Sequence, residues 1–317
     1  MKTNLNNTLV SCPICGSSDY RILFHDYNRR DNINCSGTYV RCEECSLVYL
    51  RERPPWKEIV KLYSALDSDI TANPGMIDIP ALKAQLAKPI HKWKQFLRKV
   101  RFRPHSWPLE SVPKGSKRLL DLGCGNGAKL VEFAQRGYDA WGVDVSGDAI
   151  NVCRQILPEG HFIKGELRQV NLPSEYFDYI RIDNALEHVP NPKEVVKECH
   201  RLLKRRGRLL VYVPHGESFS MRFMKGDSIS SWIPFHLLLF TRESLHRVLA
   251  EAGFKSIRIY GYYPTSWLPL SIMQRRMRKG KVSGLSYPSW LVFACYPFGW
   301  MFSKIGLAEE LVGVGKK

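Results

Sequence analysis

Arg118-Leu119-Leu120-Asp121-Leu122-Gly123-Cys124-Gly125-Asn126-Gly127 is the stretch whose reading decides the fold. Its first half is a short apolar run, as in a buried strand, and three alternate glycines follow at once. A helical pattern begins near Lys129, so the glycines sit at a strand-to-helix turn, where an open α/β sheet binds its ligands. Glycine lets that backbone turn tightly and approach a ligand with no Cβ in the way. The spacing is GxGxG and lacks the GxGxxG fingerprint that seats a pyrophosphate over a helix N-terminus. Asp121, ahead of the glycines, suits an ammonium group rather than a phosphate. Asp144 ends the next predicted strand, residues 139–144, where a carboxylate can accept both hydroxyls of a ribose.

The same rhythm continues downstream. Further strands are expected at 161–164, 176–182, 207–213 and 254–260, with helices near 129–136, 147–157, 192–203 and 241–252. Strands separated by helical patterns mean βαβ units and a parallel sheet, so the fold class is α/β, doubly wound. Residues 289–302 are mostly apolar and aromatic and follow Arg275, Arg276, Arg278, Lys279 and Lys281. That run is too short to span a bilayer. It reads either as a helix covering the active site or as one lying in an anionic membrane surface. Residues 310–316 are expected to add a final edge strand.

Upstream lie two CxxC knuckles, Cys12-Pro13-Ile14-Cys15 and Cys42-Glu43-Glu44-Cys45, separated by 26 residues. Two such turns can each give two thiolates to a tetrahedral zinc, and a closed four-sulfur site stabilises a module too small for its own core. Short hairpin strands are expected at 20–24 and 38–41, and Cys35 and His25 are spare potential ligands. Residues 53–116 read as a helical connector with helices at 56–66 and 81–100. From Lys83 to Arg118 there are 11 Lys or Arg against the single acid Glu110. That excess is either a solvated helix face or a surface meeting phosphate or membrane. The expected organisation is a zinc ribbon at 1–52, a basic helical connector at 53–116, a nucleoside-binding domain at 117–262 and a C-terminal extension at 263–317, either a lid or a membrane-surface helix.

The 317 residues carry 47 Lys and Arg against 30 Asp and Glu, a formal charge of +17. Such a balance favours polyanionic partners: nucleic acid, an anionic membrane face, or substrates bearing phosphate. The first ten residues are polar and rich in Asn, without a secretion signal, and no run reaches the ~20 apolar residues of a membrane span. Nine cysteines, an odd number, favour reduced thiols and metal over disulfides. A cytoplasmic location is expected, either free or at the inner face of the membrane.

Residues 121–127 with Asp144 resemble the class I S-adenosylmethionine-dependent methyltransferases. The resemblance continues at Gly165-Glu166-Leu167, Phe177-Asp178-Tyr179-Ile180, Asn184-Ala185-Leu186-Glu187-His188-Val189, Pro234-Phe235-His236, Phe240-Thr241 and Ala252-Gly253-Phe254, so it covers roughly residues 117–260. It implies a Rossmann-like methyltransferase sheet. It also implies that S-adenosylmethionine is held by Asp121, Gly123, Cys124 and Gly125 in the loop, Asp144 and Val145 at the ribose, Glu166 and Leu167 at the adenine, and Asn184. The loop after Glu166 is longer than the family's usual one before Leu172-Pro173.

For the acceptor, the resemblance implies Glu187 and His188, with His236, as candidate catalytic residues. The alternatives are that Glu187-His188 braces its turn and that His236 is a packed or lid histidine. Relatives that methylate quinol precursors carry Glu-x-x-Glu-His here and bind a divalent metal. This chain has Asn184 at the first place. The Asn/Asp-Pro-Pro-Tyr loop of enzymes that methylate base amines is absent, and Asp183-Asn184-Ala185-Leu186 stands instead. A four-cysteine ribbon joined to this domain resembles methyltransferases of deoxysugar and surface-polysaccharide pathways, some acting on carbon and others on oxygen. That implies a phosphate-bearing small molecule or glycan as acceptor: a sugar, nucleotide sugar or lipid-linked glycan. Two other readings stand beside it: an RNA methyltransferase, suggested by the charge and the ribbon, and a non-catalytic zinc-ribbon binding protein.

Overall fold

The computed structural model describes residues 7–28, 31, 33–71, 112–167, 169–282 and 285–317. The expected helix at 81–100 and most of the basic stretch at 83–118 lie outside the described residues. The first elements are β1 (Thr8–Leu9), β2 (Tyr20–Tyr27), β3 (Ser36–Cys42), β4 (Val48–Leu50), β5 (Glu52–Arg53) and α1 (Trp56–Thr71). Next come β6 (Arg118–Leu122), α2 (Ala128–Ala134), β7 (Asp139–Asp144), α3 (Gly147–Ile156), β8 (His161–Lys164), β9 (Phe177–Asp183), α4 (Pro192–Leu202) and β10 (Leu203–Pro214). Then follow α5 (Phe219–Phe223), β11 (Leu238–Leu239), α6 (Arg242–Glu251), β12 (Lys255–Tyr262), α7 (Trp267–Arg278), α8 (Ser289–Lys304) and β13 (Glu310–Lys316). The α/β expectation holds, with strand and helix positions close to those read from the pattern.

The residues cluster into two units, one of 60–183, 197–210 and 315–317, the other of 1–59, 184–196 and 211–314. In the first, β6 pairs in parallel with β7 on one side and β9 on the other, and β7 pairs in parallel with β8. The register sets Leu119 opposite Ala140 and Tyr179. Parallel neighbours require crossovers, which α2 and α3 supply, and these bring the turns after β6, β7 and β8 to one sheet edge. Leu119, Leu130, Phe133, Ile150 and Phe162 belong to the shared core. Each such side chain contributes about 1.5–3 kcal/mol on burial. Ser146 caps α3 by accepting the Ala149 N–H at 3.2 Å, which fixes where the chain turns after Asp144.

The second unit holds the cysteine ribbon. β2, β3 and β4 form an antiparallel meander, and β11 joins β4 with Leu238 opposite Tyr49. The short strands expected at 20–24 and 38–41 are present and longer. The fourth strand comes from far along the chain, because an uncovered β4 edge would leave backbone donors and acceptors unpaired. In this unit β13 lies between β10 and β12. The strand expected at 310–316 therefore forms with those bounds, but β12 takes the edge. Leu311 and Val312 point to opposite faces and both are buried. At Gly313 the backbone comes close to Leu245 of α6, where a Cβ would meet its side chain at 3.1 Å. A strand covered on both faces belongs inside a sheet.

Candidate active site

The glycine loop owes its shape to three positive φ angles: Gly123 at 72°, Gly125 at 52° and Gly127 at 71°. L side chains rarely adopt these values, so the alternation of glycines is a backbone requirement. The Gly123 N–H donates to the Val143 carbonyl at 2.8 Å, which ties the loop to the end of β7. The Cys124 side chain turns into the core, where its Sγ lies 3.9 Å from that of Cys153. Gly142 makes room for it, since a Cβ there would meet Cys124 Sγ at 2.8 Å. Only the backbone of Cys124 can therefore serve a ligand.

Asp144 ends β7 with its carboxylate turned back on the loop. One oxygen accepts from the Gly125 N–H at 2.9 Å and the other from the Ser146 N–H at 2.9 Å. A carboxylate offers about four lone-pair positions, more than these two backbone donors use. That geometry fits a ribose diol. Val145 follows, half-buried. Gly165 donates its N–H to the Asp144 carbonyl at 2.9 Å, which sets half-buried Glu166 and buried Leu167 just past β8.

Asp121 is placed differently from the ammonium reading. It is buried, and Arg181 Nη1 donates to both carboxylate oxygens at 2.9 and 2.8 Å. Arg181 also pairs with Asp183. Asp121 and Arg181 are register partners on β6 and β9, so the carboxylate braces the sheet beneath the loop. Sequence reasoning missed Arg181. Its signal was an arginine between Ile180 and Ile182, in the apolar second half of the strand Phe177-Asp178-Tyr179-Ile180-Arg181-Ile182.

Asn184, in the other unit, takes φ 51° and donates its side-chain amide to Glu310 at 2.7 Å. There Glu187, His188 and His236 converge, with one ligand atom of each within 4.8 Å of the others. Both oxygens of the fully buried Glu187 lack a hydrogen-bond partner among the described residues. Burial pushes its carboxyl up to about 8. Burial also lowers His188 to about 4, against the upward pull of the Phe235 and Asn184 carbonyls. Its Nδ1 lies 2.9 Å from the Phe235 carbonyl, and Nε2 lies 3.8 Å from Glu187. The His236 ring is 4.9 Å from that of His188, and its Nδ1 sits 2.7 Å from the Ser230 carbonyl. Trp232 stands edge-on to both rings. His215 and Glu217, whose roles the sequence left open, have structural partners: His215 is buried against the Ala308 carbonyl, and Glu217 pairs with Arg41.

The ribbon is fastened to the segment carrying His236. The Tyr39 hydroxyl donates to the His236 carbonyl at 2.9 Å, the Asn28 amide to the Ile233 carbonyl at 2.6 Å, and Trp232 Nε1 to Asp31 at 2.8 Å. Within the ribbon, Cys12, Cys15, Cys42 and Cys45 bring their sulfurs within 4.8 Å of one another. Each knuckle closes alike: Gly16 and Ser46 take positive φ and donate to the carbonyls of Cys12 and Cys42. The Cys12–Cys45 and Cys15–Cys42 contacts are 3.4 Å. Tetrahedral zinc at ~2.3 Å from each sulfur sets them about 3.8 Å apart, so small shifts complete the site. The Cys12–Cys45 contact lowers the Cys12 thiol to about 5. Cys35 and His25 stand outside the group; His25 contacts Thr38.

A glycine turn at the carboxyl edge of a parallel sheet, with an acid ending the next strand, defines a nucleoside-binding Rossmann-like enzyme. Residues 120–211 match a family model described as a methyltransferase domain. A ubiquinone biosynthesis O-methyltransferase of Glaesserella parasuis is 35% identical over 162 residues, 46% of this chain and 69% of that protein. Its namesake from Idiomarina loihiensis is 28% identical over 156 residues, 46% of this chain and 64% of that protein. An S-adenosylmethionine-dependent methyltransferase structure from Archaeoglobus fulgidus is 19% identical, with a TM-score of 0.45 over 76% of this chain and 100% of that one. The chain belongs to the S-adenosylmethionine-dependent methyltransferases.

Proposed function

We propose that this enzyme methylates a hydroxyl, or an acidified carbon, of a small sugar-class acceptor such as a nucleotide sugar or lipid-linked glycan, with His188 taking the proton. The observation carrying this reading is the buried group of Glu187, His188 and His236. When bound, S-adenosylmethionine supplies a methyl group on a positively charged sulfur. The protein's share is alignment, worth about 7–11 kcal/mol, and a positioned base, worth about 10²–10⁴ in rate. With its pKa lowered to about 4, His188 is neutral at pH 7 and can accept a proton. A weak base suffices, because the hydroxyl becomes far more acidic as its oxygen gains a third bond, to the incoming methyl group. Glu187, pushed up to about 8, is neutral at pH 7 and does not compete for the proton, while the Phe235 carbonyl at Nδ1 fixes the orientation of His188. The four thiolates of the ribbon hold a structural zinc.

The ribbon supports the sugar class, through its resemblance to sugar-pathway methyltransferases. A second reading, O-methylation in ubiquinone biosynthesis, is favoured by the names of the relatives. Release of S-adenosylhomocysteine with nucleotide sugars, with lipid-linked glycans and with quinone-precursor extracts separates the two. With the accepted substrate, His188→Gln is expected to lower kcat by about 10²–10⁴ and leave donor affinity within twofold. An unchanged kcat would remove His188 as the base. Turnover by the wild type should fall as pH drops through about 4.

A further inference from the structure

Ten large apolar side chains stand exposed among the described residues, and six of them fall within residues 290–305: Trp290, Phe293, Phe298, Trp300, Met301 and Ile305. Phe293 is 75% exposed and Trp290 63%. Single exposed apolar residues are ordinary, whereas a contiguous group marks a surface that meets something. The helix bearing them is nonetheless fixed. Phe302 stacks on Phe219 with ring centroids 4.0 Å apart. Gly299 lies so close to Tyr263 that a Cβ would overlap the ring at 2.0 Å. The Tyr263 hydroxyl donates to the Cys295 carbonyl at 3.3 Å. One face of α8 is therefore anchored and another presents rings to water.

Residues 252–308 carry eight Lys and Arg and no Asp or Glu. Arg275 and Arg278 turn to Asp227, at 3.8 and 2.8 Å. Arg276, Lys279 and Lys281 are exposed and make no ion pair among the described residues. These three line one cleft of about 560 Å³ together with Phe223, Leu268 and Phe298. The result is an apolar floor under a cationic rim. At 16 residues, α8 is about 24 Å long, and no described helix is long and apolar enough to cross a membrane.

We propose that α7, α8 and the cleft between them dock this enzyme on an anionic lipid bilayer. α8 lies in the plane of the interface with Trp290, Phe293 and Phe298 among the upper acyl chains. Arg276, Lys279 and Lys281 meet the lipid phosphates. Charge complementarity selects this occupant. A second copy of the chain would cover the rings but press one cationic rim against another. A free phosphate would answer the rim and leave the rings in water. Anionic lipid satisfies both halves. The proposal does not depend on the acceptor's identity.

Sedimentation of the full chain with vesicles of phosphatidylcholine, with and without phosphatidylglycerol, tests it. Strong binding is expected only with phosphatidylglycerol, weakening as salt rises. The triple variant Arg276→Ala/Lys279→Ala/Lys281→Ala is expected to bind on the order of a hundredfold more weakly, about fivefold per cation. Trp290→Ser/Phe293→Ser should lose vesicle binding while its affinity for S-adenosylmethionine is unchanged, which shows that the fold is intact. Equal binding to both vesicles, or to neither, would overturn the proposal. So would displacement by soluble glycerol phosphate, or a wild-type dimer that Phe293→Ser dissolves.

Discussion

The glycine loop and the histidine group are assembled from opposite kinds of contact. Asp144 holds a loop residue only 19 positions away, at Gly125. The segment bearing His236 is held by Tyr39 and Asn28, 197 and 205 positions away. The donor side is a local device that a strand, a turn and a helix make among themselves. The histidine group leans on a ribbon that is too small to fold on apolar burial alone. The two sides should therefore fail separately.

The largest effect is expected at the ribbon. Structural zinc contributes an apparent 10–16 kcal/mol in small four-ligand modules, and this is folding free energy. Cys42→Ser should abolish stoichiometric zinc, read by elemental analysis, and open residues 8–53 and 226–243 to limited proteolysis. Affinity for S-adenosylmethionine, read by titration calorimetry, should stay within a few-fold. A parallel collapse of donor binding would show that the two sides are not separable.

Next comes the pH dependence of Glu187. Its folded pKa, about 8, lies above the ordinary 4.5. The contribution of its neutral form is thus fully present below 4.5 and is lost as pH rises through about 8. By full ionisation the loss is on the order of 5 kcal/mol. Urea unfolding across that window should show the decline in wild type and a flatter profile in Glu187→Gln. Identical profiles would mean that this carboxyl is not held neutral.

Arg181→Met probes the donor side's foundation. Removing one partner of a buried pair leaves an uncompensated charge at Asp121 and costs about 3–5 kcal/mol. Adding Asp121→Leu should recover most of the lost Tm, because the pair is then replaced by apolar packing. Zinc content should not change in either variant.

How much of this was legible follows the same divide. The turn at 121–127, the acid at 144 and the four cysteines are written in short-range spacing, because the backbone and the knuckle each demand particular residues a few positions apart. The pairing of Asp121 with Arg181 was not legible, since it depends on strand order rather than spacing. Strand β11 was hidden too: Leu238-Leu239 is two residues long and gains its identity only from the β4 edge. Residues 310–316 carry an apolar run with glycines that reads equally well at an edge or an interior position. The burial of both Leu311 and Val312 decides it. Asn28, Asp31 and Tyr39 gave no sign that they hold the segment bearing His236.

The smallest expected effect is the most specific. Asp144→Asn keeps the size of the side chain and removes its charge and one acceptor oxygen. The Gly125 and Ser146 N–H groups then compete for a single carbonyl oxygen. The amide nitrogen would turn a donor toward one of them or toward a ribose hydroxyl. Losing about one charge-assisted hydrogen bond costs about 2 kcal/mol, or about thirtyfold in affinity for S-adenosylmethionine. Zinc stoichiometry and protease resistance of the ribbon should match wild type, the converse of Cys42→Ser. Unaltered donor affinity in this variant would show that Asp144 only shapes the loop, and the ribose would then need another acceptor.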